Sequence, residues 1–354
     1  MSGTRVGQVT IGLLFLLSLL TLASSYISPE TFWLGSVLVP WLIPLLLINL
    51  IVLLILLVKR SWMLALPLLI IIGALTLLPR LYAWPSGEYA GESNSGFRVV
   101  SYNTSFFRAS GVFSKSYYSS DKNLLSLQIT DWIRSNGADI ICLQEFFDDE
   151  NSEIFNNVQA IGTSGGYQHH FLHKALHDNG VERGLITFSK FPIVDQGDIF
   201  LSENRYNGAT FVDLRIDADT VRVINLHLES LNLSERAKRG GIPSLVRSNA
   251  IQKSRQAQEV MQYIRESPYP TIVCGDFNEV PNGYIYRQFS QSLDNAFEEE
   301  GDGLGLTYQG SYPTPLLRID NQFYDPRLHL VSFATHYGIG YSDHFPIEAR
   351  YQLR

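Results

Sequence analysis

Almost no charge occurs in the first 80 residues of this chain, and this feature constrains the fold more than any other. The charged side chains there are Arg5, Glu30, Lys59, Arg60 and Arg80. Three apolar segments fill the interval, at residues 9–24, 38–58 and 62–78. A bilayer requires about 20 apolar residues, so the second segment is long enough to cross and the third is near the lower limit. The sequence therefore predicts a membrane anchor over residues 1–80 with two to three transmembrane helices.

The first apolar segment has two interpretations. Arg5, the apolar residues that follow and the small residues Ala23-Ser24-Ser25 fit either a cleavable signal peptide or a first anchor. Lys59 and Arg60 lie in the short second connection, which predicts that this connection stays in the cytoplasm. The protein is then expected to be a multi-pass membrane protein whose chain after residue 78 lies on the extracytoplasmic side. Arg80 argues mildly against this orientation.

Composition changes sharply beyond the apolar segments. Residues 81–96, rich in Gly, Ser and Glu, predict a linker, and residues 97–354 have a common size for one α/β domain. The first 80 residues carry a charge of +3 and the remainder carries -10, which together make the formal net charge of -7. So acidic a domain binds a nucleic-acid backbone poorly unless its basic residues gather on one face. The best candidate is the segment from Arg236 to Arg247 with Lys253 and Arg255, although a solvated surface loop is the commoner case.

Strand-like and helix-like patterns alternate through the acidic part. Predicted strands lie at residues 98–102, 139–143, 168–173, 185–189, 209–216, 221–228, 271–273, 328–335 and 345–351. Predicted helices lie at residues 122–135, 152–161 and 249–265. Strands mixed with helices predict an α/β fold of two sheets covered by helices.

Five of the apolar runs end in polar side chains that bind metals or exchange protons. The endings are Asn103, Glu145, His227, Asp276 with Asn278, and Asp343 with His344. Asp276 and Asn278 on an extended segment would point to the same face and handle one water molecule, although alone they also fit a turn that caps a strand. Because catalytic groups are usually placed at strand ends of α/β sheets, five such endings predict a common site.

The motifs resemble those of the endonuclease/exonuclease/phosphatase family, which includes DNase I-like nucleases, apurinic endonucleases, inositol-phosphate 5-phosphatases and neutral sphingomyelinases. The matching stretches, in family order, are residues 99–103, 143–145, 184–190, 225–228, 275–278, 318–320 and 342–347. The resemblance implies a four-layer α/β sandwich of two mixed sheets flanked by helices. It also implies a divalent-metal-dependent hydrolase that attacks a phosphoester with water.

The resemblance further implies roles for individual residues. Asn103, Glu145 and Asp343 would bind the metal ion, and oxygen ligands of this kind favour Mg²⁺ or Mn²⁺ over zinc. Asp276 would orient or deprotonate the attacking water, with Asn278 fixing its position. His344, held by Asp320, would donate a hydrogen bond to a phosphoryl oxygen. His227 would act as general acid or second donor, and Glu182 would either steady it or belong to an ordinary loop. The general base and the number of metal ions stay open.

Two departures from the pattern weaken the case for DNA repair. Asn103 is followed by Thr104-Ser105, and Asp320 is followed by Asn321-Gln322. Nucleic acid and a phospholipid headgroup therefore compete as substrates. A phosphomonoesterase and a catalytically inactive, membrane-bound binding module are the alternatives.

Cysteine and histidine residues could suggest a disulfide or a zinc site, but the sequence favours other interpretations of both. Cys142 and Cys274 each lie in an apolar run, so buried thiols are favoured over a disulfide. Four histidines occur between residues 169 and 177, but a strand over residues 168–173 fits them better than a zinc site.

Overall fold

The computed structural model describes residues 2–84, 95–109, 120–178, 180–202, 206–230, 233–310 and 317–354. Most of the predicted linker 81–96 lies outside these residues. The chain forms two compact units. The first contains Met1–Tyr82, Leu231–Arg255 and Glu279–Gln288, and the second contains Ala83–Ser230, Gln256–Asn278 and Phe289–Arg354. The first unit thus contains two later segments besides the apolar N-terminal part.

Helices build the N-terminal part of the first unit: α1 (Ser2–Ser24), α2 (Gly35–Leu38), α3 (Leu42–Val58), α4 (Ala65–Ala74) and α5 (Leu78–Leu81). With the 3-10 turns between them they make three spans of 20 to 24 residues that are long and apolar enough to cross a membrane: Arg5–Ser24, Gly35–Val58 and Trp62–Leu81. Within this bundle the side-chain amide of Asn49 in α3 is 1% exposed. Its Nδ2 donates to Ser18 Oγ of α1 at 2.8 Å, which ties the two helices together.

The segment Glu279–Gln288 packs on the connection between α1 and α3. Asn282 Nδ2 donates to the carbonyl of Val39 at 2.7 Å, and Ser25 Oγ donates to the carbonyl of Asn282. The Arg287 guanidinium lies 4.0 Å from the ring centroid of Tyr26. Two hydrogen bonds from side chains to backbone carbonyls and a cation–π contact therefore hold this segment inside the first unit.

Two residues of the candidate basic face already have acidic partners in the first unit. Lys253 Nζ lies 2.7 Å from Glu279 Oε2, and both side chains are buried. Arg255 Nε lies 2.8 Å from Glu30 Oε1 at the surface. These pairs reduce the positive charge that the segment offers to an anionic polymer.

The described residues of the second unit form twelve strands: β1 (Phe97–Asn103), β2 (Ile140–Asp149), β3 (His169–Asp178), β4 (Val181–Ser189), β5 (Ile193–Leu201), β6 (Gly208–Ile216), β7 (Asp219–His227), β8 (Thr271–Asp276), β9 (Asp294–Asn295), β10 (Asp320–Tyr324), β11 (Leu328–Thr335) and β12 (Ile347–Leu353). The remaining α-helices in the described part of the chain are α6 (Ser120–Asn136), α7 (Leu233–Glu266), α8 (Tyr284–Phe289) and α9 (Ala296–Glu300). The first sheet has the order β11-β12-β1-β2-β4-β3, and the second has the order β5-β6-β7-β8-β10-β9. Parallel and antiparallel pairs occur in both, so the predicted two mixed sheets flanked by helices are confirmed.

Side chains alternate along the central strands between two apolar layers. One layer lies between the sheets and includes Val99, Cys142, Val223 and Ile272. The other joins the outer face of the first sheet to α6 and includes Val100, Ile141, Ile129 and Ile133. Cys142 and Cys274 are buried free thiols, as expected. Their mutual hydrogen bond and burial raise the pKa of Cys274 well above its usual value.

Several predicted elements were wrong in extent. Only a six-residue π-helical turn, Val158–Thr163, occupies the region of the helix predicted at residues 152–161. The strand predicted to stop at residue 143 continues to Asp149. β5 and β10 were not predicted, because their polar residues break the apolar pattern. α7 begins well before residue 249 and is interrupted at Gly241, whose φ is +77°.

Candidate active site

Strand direction brings polar residues from distant parts of the chain together. β7 and β8 are parallel, so their last residues, His227 and Asp276, are register partners at one edge. β10 runs antiparallel to β8 and begins there, with Asp320 opposite Asp276. In the first sheet β1 ends at Asn103, and its antiparallel partner β12 begins shortly after His344.

Asp276 lies at the centre of this group and is 2% exposed. Its Oδ2 accepts a hydrogen bond from Asn103 Nδ2 at 3.1 Å, and its Oδ1 accepts one from the backbone N–H of Asn278 at 2.8 Å. His227 Nε2 lies 3.5 Å and His344 Nε2 lies 3.7 Å from Asp276 Oδ2. A carboxylate fixed in this way between two imidazoles can orient a proton donor and accept its proton.

His344 is held by Asp320. The two are joined by a hydrogen bond of 2.8 Å between His344 Nδ1 and Asp320 Oδ2, and the Asp320 backbone N–H donates to Thr307 Oγ1. Burial lowers the pKa of His344, but the charges of Asp320 and Asp276 outweigh burial and raise it to about 10. The imidazole is therefore a cation at neutral pH, with Nε2–H as a donor toward the site.

Glu145 reaches the site from the middle of a strand. The register between β2 and β4 shifts at this residue, whose φ is +48°. A bulge of this kind turns a side chain away from its normal direction. The carboxylate is 25% exposed, and its Oε1 lies 3.9 Å from His227 Nε2. Burial and the nearby carboxylates of Asp343 and Asp276 raise the pKa of Glu145.

The bulge is braced by buried amides. Gln144 Nε2 donates to Asn225 Oδ1 at 2.7 Å, and Asn225 Nδ2 donates to the carbonyls of Leu143 and Ile186. These bonds connect β7 in the second sheet with β2 and β4 in the first. They fix the two residues of β2 that precede Glu145.

Asn278 has a different geometry from the one its spacing suggested. It lies beyond the end of β8 with a φ of +47°, so it does not continue an extended segment. Its backbone N–H caps Asp276, and its Nδ2 donates to the carbonyl of Leu228 at 3.0 Å. The residue thus ties the turn after β8 to the end of β7.

Glu182 lies on β4 in the wall of a different cavity, about 930 Å³ in volume, together with Asp148, Glu150 and His170. Asp148 is its register partner on β2. The structure therefore brings together Asn103, Glu145, His227, Asp276, Asp320, Asp343 and His344, and it sets Glu182 in another environment.

Tyr308 belongs to the site although the sequence analysis did not single it out. Its ring centroid lies 4.9 Å from that of His344. Burial and the charges of Asp343, Asp276 and Glu145 raise the pKa of its phenol. A Tyr in an irregular segment, twelve residues before the start of β10, carried no periodic signal that could have identified it.

Three of the site groups are close enough to share a metal ion. Ligand atoms of Asp276, Asp320 and His344 all lie within 4.8 Å of one another. However, the hydrogen bond between Asp320 and His344 already uses one atom of each residue. This trio therefore fits a charge-relay arrangement better than a metal centre.

Comparisons with known proteins agree with this architecture. The family model described as "Endonuclease/Exonuclease/phosphatase family" matches residues 100–344. No curated protein sequence is significantly similar to this chain.

Solved structures with the same fold include an endonuclease/exonuclease/phosphatase from Beutenbergia cavernae, at 17% identity and a TM-score of 0.53 over 73% of this chain and 71% of that one. The human Nocturnin catalytic domain with bound sulfate has 19% identity and a TM-score of 0.51 over 73% and 95% of the two chains. Sphingomyelinase C from Streptomyces griseocarneus has 18% identity and a TM-score of 0.51 over 72% and 99%.

The family match spans nearly the whole second unit and contains every residue of the site. The protein thus belongs to the endonuclease/exonuclease/phosphatase family and is a hydrolase acting on phosphoester bonds.

Proposed function

We propose that this protein is a membrane-anchored, divalent-metal-dependent phosphodiesterase. Residues 1–80 would be the anchor and residues 97–354 the catalytic domain. The observation that carries the proposal is the position of the Asp276 carboxylate, which two amide groups hold between the Nε2 atoms of His227 and His344.

Each of these side chains has a role that follows from its contacts. Asp276 orients the attacking water and accepts its proton, because the hydrogen bonds from Asn103 and Asn278 hold its oxygens in place. His344 donates Nε2–H to a non-bridging phosphoryl oxygen, where negative charge develops during attack. Asp320 keeps the His344 ring oriented and charged. His227, also directed at the site through Nε2, stabilises the leaving side.

The donor set suits Mg²⁺ or Mn²⁺. Glu145 and Asp343 provide carboxylate oxygens, and Asn103 provides an amide oxygen; all three are hard ligands. Burial raises the pKa of Glu145, and the nearby carboxylates of Asp343 and Asp276 raise it further. A divalent cation would compensate the negative charge of these carboxylates. When bound, such an ion supplies Lewis-acid polarisation of a phosphoryl oxygen.

The three apolar spans support integration into a membrane as a multi-pass protein. Lys59 and Arg60 follow α3 and favour a cytoplasmic connection there. The catalytic domain would then be extracytoplasmic. Cysteine labelling of Ser61→Cys and of Ser290→Cys with a membrane-impermeant reagent tests this orientation, because only the second thiol should react in intact cells.

A phospholipid headgroup is the favoured substrate class. The part of the chain beyond residue 80 carries -10, and two of its candidate basic residues, Lys253 and Arg255, already pair with acidic residues. Membrane attachment also brings lipid headgroups within reach. One of the structural neighbours is a sphingomyelinase, and this similarity of fold is compatible with a lipid substrate.

The proposal is tested by hydrolysis with the full-length protein in lipid nanodiscs, with Mg²⁺ or EDTA. The substrates are phospholipid and sphingomyelin vesicles, plasmid DNA, bis(p-nitrophenyl) phosphate and p-nitrophenyl phosphate. Asp276→Asn is expected to reduce turnover by about 10²–10⁴-fold. The matched control is Asp325→Asn, which removes a carboxylate paired with Arg327 outside the site.

The outcomes separate the candidate functions. Metal-dependent cleavage of vesicle lipids that Asp276→Asn abolishes supports the proposal. Cleavage of DNA alone would identify a nuclease, and cleavage of the monoester alone would identify a phosphomonoesterase. A folded protein that binds vesicles and Mg²⁺ but hydrolyses nothing would favour the inactive binding module.

A further inference from the structure

Two buried histidines of the second unit each have one ring nitrogen with a defined contact and one without. His227 directs Nε2 at Asp276 and Glu145, whereas its Nδ1 has no hydrogen-bond partner among the residues that the structure describes. His173 Nδ1 lies 2.5 Å from Asp198 Oδ1, and its Nε2 likewise has no partner among the described residues. Both side chains are 3% exposed. A buried polar atom without a hydrogen-bond partner destabilises the fold, so two in one layer call for an explanation.

The two nitrogens face the same layer between the sheets. Gly208 of β6 is the register partner of His227 on β7. A Cβ atom at Gly208 would lie 3.5 Å from His173 Nε2, so His173 from the first sheet approaches the strand position beside His227. Gly208 has no side chain at this point, and the same Cβ would lie 3.1 Å from the carbonyl oxygen of Phe200, a further hydrogen-bond acceptor.

A third unpaired atom lies on the same face of β6. Thr210 is two residues beyond Gly208, is 1% exposed, and its Oγ1 has no partner among the described residues. Thr210 is the register partner of Asn225, whose amide contacts the first sheet. Its hydroxyl therefore also points between the sheets.

We propose that one buried water molecule at Gly208 bridges His173 Nε2 and His227 Nδ1, with the Thr210 hydroxyl as its third partner. Buried water typically makes about three hydrogen bonds to groups that otherwise have none. Asp198 accepts from His173 Nδ1–H, which leaves a lone pair on His173 Nε2. The water then donates to this lone pair and to His227 Nδ1, and it accepts from Thr210 Oγ1–H.

This arrangement sets the tautomer of His227. A neutral imidazole whose Nδ1 accepts a hydrogen bond carries its proton on Nε2, the atom directed at Asp276 and Glu145. His227 then enters the site as a hydrogen-bond donor rather than a base. Asp198, His173 and Thr210 are positioning residues for it. The catalytic meaning of this arrangement rests on the proposed phosphodiesterase function, whereas the tautomer does not.

The tautomer is measured directly in the full-length protein in nanodiscs with ¹⁵N-labelled histidine, without added metal and at pH 8.5, where an ordinary imidazole is neutral. The His227 signals are assigned by their loss in His227→Gln. We expect a single Nε2–H tautomer in the wild type and a mixture in His173→Leu. Gly208→Ala gives the same mixture by a different route, because its methyl group displaces the water but leaves His173 and Asp198 intact.

The second readout is hydrolysis of bis(p-nitrophenyl) phosphate with Mg²⁺. His173→Leu and Gly208→Ala are expected to lower kcat about 10–100-fold with KM nearly unchanged, as for other groups that orient a site residue. His173→Gln keeps a polar group for the water and should recover part of kcat. The matched control is His170→Gln, on the same strand, which should leave both constants unchanged.

An Nε2–H tautomer that persists in both His173→Leu and Gly208→Ala would overturn the bridge. So would an Nδ1–H tautomer in the wild type. Absence of hydrolysis by the wild type counts against the proposed function, and the tautomer measurement then decides the inference by itself.

Discussion

The two units bury polar groups in opposite ways. In the apolar helices of the first unit, the amide of Asn49 is paired with Ser18 and a backbone carbonyl, and it carries no charge. In the second unit, two carboxylates and two imidazoles lie together at one edge of the sheets, and each is within 4 Å of another member of the group. The four residues are Asp276, Asp320, His227 and His344. A helical bundle gains stability from its polar pair, whereas buried ionisable groups crowded at one site shift one another's pKa values. Such crowding is typical of functional sites.

The largest effect is expected at Glu145. Burial and neighbouring carboxylates raise the pKa of Glu145. At pH values above the ordinary carboxyl pKa, ionisation of Glu145 therefore destabilises the folded state. Glu145→Gln should therefore raise the melting temperature in EDTA while it lowers hydrolysis by about 10³-fold and removes stabilisation by Mg²⁺. Calorimetry with and without Mg²⁺, together with a rate assay, measures all three. A lower melting temperature in EDTA would mean that Glu145 supports the fold rather than the site.

The second unit also has a buried ion pair outside the candidate active site. Arg222 and Asp213 are cross-strand partners joined by two hydrogen bonds of 2.7 and 2.8 Å. Arg222→Met should destabilise the unit by about 3–5 kcal/mol, because it leaves the Asp213 carboxylate buried without a partner. Denaturant unfolding measures this loss. The double variant Arg222→Met/Asp213→Leu should recover most of it, and failure to do so would show that the pair contributes through packing instead.

A smaller, pH-dependent effect is expected at Glu348. Burial opposes ionisation, but hydrogen bonds with His336 and Asn136 and the charge of Arg98 lower its pKa to about 2. Because the pKa of Glu348 is lower in the folded state, its ionisation stabilises the fold at pH values above 4.5, the pKa in the unfolded chain. This contribution is lost as the pH falls from 4.5 through about 2. The contribution at pH 7 is on the order of 3 kcal/mol.

Unfolding curves of the wild type and of Glu348→Gln at pH 7 and pH 3 test this linkage. The difference in stability between the two proteins should be much smaller at pH 3. A difference that is equal at both values would contradict the assigned pKa.

The smallest effect is expected in the first unit. Hydrogen bonds between membrane helices contribute about 0.6 kcal/mol on average. A double-mutant cycle with Asn49→Leu and Ser18→Ala, measured by unfolding in mixed detergent, should therefore give a coupling energy of roughly 0.5–1.5 kcal/mol. The hydrolysis rate should not change. A coupling near zero would remove the contrast between the two units, because the polar pair would then have no role in holding the helices.

The local pattern of apolar residues was sufficient to predict much of the fold. Apolar runs predicted the three helical spans and most of the strands, because a helix or strand that buries one or both faces has apolar residues at regular spacing. β5 and β10 were missed for the same reason. β5 is an edge strand with no fully buried residue, and β10 buries Asn321 and Gln322, which pair with other polar groups.

The sequence by itself determined which chemistry this protein carries, because the apolar runs end in Asn103, His227 and Asp276, and strand ends meet at sheet edges. Tertiary structure alone decided three further points. It placed Glu145 in a bulge rather than at a strand end, set Glu182 in a separate cavity, and turned His173 toward the layer that contains His227. All three points depend on strand register and on contacts between the sheets. Register and inter-sheet contacts bring together residues that are far apart in the sequence, so the sequence separation of these residues does not predict their distance in space.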